Sequence, residues 1–168
     1  MILVTLRVFD IVVALSITKP HSRSYHLAFP LSATAVAEDI GKLILRLVVG
    51  GLLLFHGAMK LRHGIGFVAK MVQTHNLPSW FAYGVFAGEV LAPILLIIGI
   101  LTRPAAALVV VDIAVAIALV KQGAVIQLER QTGAVGGELE FLYMFGALAI
   151  VFLGSGRIAI SRGRGALD

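Results

Sequence analysis

A few ionisable side chains set among oily residues carry whatever chemistry this chain performs. The stretch LILRLVVGGLLLFHGAMK, residues 43–60, is apolar or glycine except for Arg46, His56 and Lys60. Glu89 is the lone charge between Trp80 and Leu101, and Asp112 the lone charge between Pro104 and Val120. Glu138 and Glu140 open a further apolar run that also holds Tyr143. Imidazole titrates near neutrality, so His56 can hydrogen-bond a carbonyl oxygen or exchange a proton. Glu89 and Glu140 are carboxyls of the kind that relay protons. These three are the catalytic candidates. Arg46, Lys60, Glu138 and Tyr143 join them as candidate ligand-binding residues, the tyrosine as an aromatic beside acids that could line a ring-shaped ligand. The competing reading is structural, with paired charges that fix helix register. No metal site is expected, because His21, His26, His63 and His75 lack a partner at metal-ligand spacing.

The elements that position these groups follow from composition. The chain is 59% hydrophobic and only 14% charged, with a mean hydropathy of +0.98. A soluble domain of this size needs more polar surface, so an integral membrane protein is expected. Lipid requires every backbone polar group to be satisfied internally, and the continuous Leu/Ala/Ile/Val runs lack the alternation of barrel strands. The expected fold is therefore an all-α membrane protein, a four-transmembrane-helix bundle with spans at about 40–61, 80–101, 104–120 and 138–158. LTRPAA is too short to make anything but a tight antiparallel hairpin between the second and third spans. In GIGFVAKMVQTHNLPSW, Phe67, Val68, Met71 and Val72 fall at helical spacing opposite Lys70 and Gln73. That pattern predicts a short interfacial helix between the first two spans, with Trp80 as an interface anchor.

At roughly 100° per residue, Arg46, Gly50, Leu53, Gly57 and Lys60 share one stripe of the first helix. Small residues permit close approach, so this stripe should face the bundle. With spans alternating in direction, His56, Lys60, Glu89, Glu138 and Glu140 fall in one layer of the membrane. Arg46 falls in the opposite half, where Asp112 is its expected partner.

The net charge of +5 sits at segment ends and tails without interleaved aromatics. Anionic headgroups account for it, and nucleic acid is not an expected partner. There is no cysteine, which excludes disulfides, thiol chemistry and Cys-ligated clusters. Residues 1–37 form an N-terminal extension. Arg7 and Asp10 argue against a fifth span, so it reads as signal-like, with AVA at 35–37 resembling a cleavage site, or as a mis-assigned start. Residues 38–161 form the transmembrane domain and 162–168 a basic tail. Basic residues near the membrane are balanced between the two sides, and Lys19 and Arg23 tip the termini toward the cytoplasm.

Taken together, LILRLVVGGLLLFHGAMKL, GFVAKMVQTHNLP, AGEVLAPILLIIGILTRPAA and GGELEFLYMFGALAIVFLGSGRIAIS resemble the DoxX family of small bacterial membrane proteins. The resemblance covers about residues 40–161. Arg46, His56, Lys60, Glu89 and Glu140 match polar positions of the family. The tail SRGRGALD departs from the family's usual ending, in which Leu-Asp follows the serine directly. The resemblance implies a multi-pass protein of the bacterial inner membrane and a membrane subunit of an oxidoreductase system. One branch of the family is linked to thiosulfate oxidation with electrons passed to quinone. Two functional expectations follow. In the first, a quinone-like headgroup binds at the polar layer. In the second, the chain is a noncatalytic scaffold that recruits soluble redox or stress-response proteins. The lipid bilayer, other protein subunits or further copies of the chain are the expected partners.

Overall fold

In a computed structural model, residues 31–128 and 133–168 are described. The chain divides into two units, Met1–Leu31 and Ser32–Asp168, and the elements below belong to the second, apart from Leu31 at the start of the first helix. The expectations for residues 1–30, and for Lys19 and Arg23 among them, lie outside the described residues.

The first helix, α1, runs Leu31–His63. It begins well before the expected Ile40 because LSATAVAED is rich in alanine and offers no breaker. The short helix α2, Gly66–Thr74, follows a turn at Gly64, whose φ of 84° suits a residue without a Cβ. It buries Val72 and leaves Lys70 and Gln73 exposed.

The second long element is irregular. It opens as a 3-10 turn, Ser79–Gly84, passes through a π-turn, Ala87–Leu91, and finishes as α3, Ala92–Ile98. Gly99 and Leu101, both with positive φ, make the tight hairpin into α4, Thr102–Ala116. A second π-turn, Ile117–Lys121, prolongs α4. A 3-10 turn at Gln122–Ile126 and a single bridge between Leu128 and Val135 structure the connection to α5, Glu138–Leu153.

Among the described residues, three segments are long and apolar enough to cross a membrane: Thr34–His63, Ser79–Ile98 and Thr102–Val120. At 16 residues, α5 is roughly 24 Å long, a little short of a usual span.

The core joins Val49 and Leu53 of α1, Ala92 and Leu96 of α3, Ala105, Ala106, Val109 and Ile113 of α4, and Tyr143, Ala147 and Ile150 of α5. Its alanines allow the helices to approach closely. Glycines do the same for α1. A Cβ at Gly50 would lie 3.0 Å from the Pro93 carbonyl oxygen, and one at Gly57 only 2.2 Å from that of Glu89. Outward, Phe55, Phe145 and Phe152 are 72%, 58% and 73% exposed. An apolar coat of this kind belongs against lipid.

Beyond α5 the chain folds back instead of trailing away. The Ile160 and Ser161 amides reach the carbonyls of Ile98 and Gly99, and the Arg103 amide donates to Leu167. Arg157 donates through its backbone amide and its side chain to Asp39, at 2.9 and 2.6 Å. The C-terminal segment thus closes one end of the bundle.

Candidate functional site

The stripe on α1 organises the polar groups. Arg46 and Leu53 are buried, as are Gly50 and Gly57, and Lys60 is half-buried. Lys60 donates to Glu89 Oε1 in an ion pair between α1 and the π-turn. The π-turn places that glutamate. The Ala92 amide bonds back to the Ala87 carbonyl, five residues earlier. Four residues beyond Glu89 stands Pro93, which has no N–H for the Glu89 carbonyl and crowds it. The ladder slips by one residue, and the bare face of Gly57 receives the displaced carbonyl. π-turns of this kind recur at functional sites.

Glu89 is 7% exposed, and its Oε2 has no hydrogen-bond partner among the described residues. The ion pair lies at the junction of two cavities. The smaller, about 180 Å³, is lined by His56, Lys60, Glu89, Glu140 and Tyr143 together with apolar residues of α4. The His56 ring stands edge-on to Tyr143, with centroids 6.0 Å apart. His56 itself is exposed at the edge of the bundle, its imidazole reaching the cavity from the side. The larger cavity, about 360 Å³, lies between α2, the 3-10 turn and α4, and reaches Lys60, Glu89 and Asp112.

The structure therefore brings His56, Lys60, Glu89, Glu140 and Tyr143 around one space. Glu138 is exposed in the first turn of α5 and lines neither cavity. Arg46 sits 14 residues from Lys60, roughly 21 Å along the helix. Its Nη2 donates to the Ile158 carbonyl at 2.7 Å, which ties α1 to the folded-back C-terminal segment.

The expected Arg46–Asp112 pair does not form. Asp112 points instead at the second long element, where a Cβ on Gly88 would fall 2.2 Å from its Cγ. It belongs with Lys60 and Glu89, and α4 is turned accordingly. The sequence reading also missed the Asp39–Arg157 pair, because nothing in the spacing of 154–161 announces a return toward α1. The signal for Asp112 was present: a lone acid in an apolar helix, opposite a glycine beside another lone acid.

In chemical terms the smaller cavity offers both kinds of polar group. Lys60, His56 and Tyr143 can donate to a carbonyl oxygen. Glu89 and Glu140 can accept from a hydroxyl or hold a proton. No group of three or more metal-ligating side chains occurs among the described residues.

In comparison with known families, the DoxX family model matches residues 41–122. The matched segment contains Arg46, His56, Lys60, Glu89 and Asp112, and ends before α5. Neither a curated protein nor a solved structure gives a significant match.

Proposed function

We propose, from the match of residues 41–122 to the DoxX family model, that the chain is a four-span protein of the bacterial inner membrane that binds a quinone-like headgroup. On this reading it serves as the membrane subunit of an oxidoreductase system. The observation that carries the reading is the unpartnered, buried Glu89 Oε2 beside the Lys60 ammonium, at the wall of a cavity that also holds His56, Glu140 and Tyr143. A buried polar atom without a partner costs free energy, and a ligand with its own polar edge would remove that cost. A quinone headgroup fits the donor set. Lys60 and His56 would donate to a carbonyl oxygen, and Tyr143 would pack against the ring. Glu140 and Glu89 would hold protons at their carboxyl oxygens. When bound, the quinone would supply two-electron chemistry, for which this chain has no sulfur of its own. The bundle would hold the headgroup away from water, with the apolar faces of α1 and α5 in lipid as the third and fourth spans complete the alternation.

A second reading rests on the ion pairs themselves. Lys60–Glu89 and Arg157–Asp39 join distant parts of the chain, as a scaffold for soluble partners would need. The two readings separate on substitution of the cavity residues. Short-chain quinone titrated into the purified protein should saturate, and His56→Ala should weaken it tenfold or more at an unchanged melting temperature. Equal binding by wild type and His56→Ala would favour the scaffold.

A further inference from the structure

The larger cavity, like the smaller, sets two carboxyls beside the Lys60 ammonium, and of the two it alone reaches Asp112. Among the described residues, Lys60 is the only cation on its wall and already bonds to Glu89, while Asp112 forms no ion pair of its own. Both Asp112 Oδ2 and Glu89 Oε2 are enclosed and have no hydrogen-bond partner among the described residues. Two carboxyls thus share one ammonium in an apolar setting. A carboxylate there must take up a proton or find a positive charge, because its burial alone is costly.

The remaining walls are apolar and partly aromatic. Val72 and Ala82 form buried wall, whereas Phe67 and Trp80 stand at the exposed rim, at 63% and 70%. Aromatic faces attract organic cations, and apolar walls accept the hydrocarbon attached to them. The volume of about 360 Å³ is within the range of small-molecule sites. Asp112 is also fixed in place, pressed against the backbone at Gly88 where no side chain intervenes.

We propose that this cavity binds a hydrophobic organic cation, an ammonium or pyridinium head on an apolar tail, with Asp112 as its counter-charge. This site is separate from the quinone proposal except that the two cavities share the Lys60–Glu89 pair. Its test therefore leaves that pair, His56 and Glu140 untouched.

Trp80 is the single tryptophan of the chain and stands at the rim, so its fluorescence reports on the site. The full chain in detergent is titrated with N-octylpyridinium, a fluorescence quencher, with octylbenzene as its uncharged analogue. The expected result is saturable quenching that octylbenzene does not compete away. Asp112→Asn should raise the half-saturation concentration tenfold or more, and Asp112→Glu should hold it within a few-fold. Val115→Phe, which fills the cavity and leaves every charge in place, should abolish saturation. That variant decides the matter if Asp112→Asn does not fold. Quenching that is linear and alike in wild type and Val115→Phe would overturn the proposal, as would equal competition by octylbenzene.

Discussion

At the scale of single residues, the question is why so apolar a helix keeps Arg46, His56 and Lys60. Each has a different answer. Arg46 is 1% exposed and donates to a backbone carbonyl of the returning C-terminal segment. Lys60 is held by Glu89. His56 stands against an aromatic ring at the bundle's edge. The Lys60–Glu89 pair yields a prediction of its own. Lys60→Met leaves a carboxylate buried without its cation, a change that costs about 3 kcal/mol or more. Lys60→Met combined with Glu89→Leu removes both charges and should recover most of that loss. Thermal denaturation of the single and double variants in detergent measures the difference. Equal stability of the two would mean that the pair contributes no coupling.

At the scale of elements, the stripe on α1, the short helix after it and the LTRPAA hairpin were legible, because periodicity, glycine spacing and loop length each constrain one feature. The rotation of α4 was not. Beyond its first turn TRPAAALVVVDIAVA carries no polar residue except Asp112, so its rotation rests on that one acid, which was assigned to the wrong partner. The fold-back after Leu153 was equally hidden. GSGRIAIS has no helical or alternating pattern, and its path depends on positive φ at Gly154 and Gly156. The π-turn had one visible cause, a proline four residues after Glu89, although that spacing alone also fits a simple kink. The same proline gives the element-scale prediction. Pro93→Ala restores an N–H that can bond to the Glu89 carbonyl and regularise the turn. The helix should survive with a melting temperature close to wild type. Glu89 should rotate away from Lys60, and quinone affinity should fall several-fold. Unaltered affinity would show that the π-turn does not position the carboxylate.

At the scale of the whole molecule, three segments among the described residues meet the length and hydropathy of a span, and α5 supplies the fourth in the proposed topology. The absence of cysteine makes this directly testable, since any introduced thiol is the only one present. Cysteines at Arg62 and Gly123 should react with an impermeant reagent from one side of the membrane. Those at Ile100 and Arg164 should react from the other. Labelling of Gly123 and Arg164 from the same side would reduce the bundle to three spans. Residues 41–122 carry the family match, whereas Glu140 and Tyr143 come from α5 beyond it. The smaller cavity is thus completed by a helix outside the matched segment, and the function proposed for it depends on the whole bundle.

The most direct test of the account is a redox difference spectrum of the protein purified with its co-extracted lipid. It should show a quinone absorbance that is reduced by borohydride and that is retained by wild type but depleted in Glu140→Gln, with the two proteins equally folded. No quinone in wild type, or the same amount in both, would contradict the claim that the polar layer is a headgroup site.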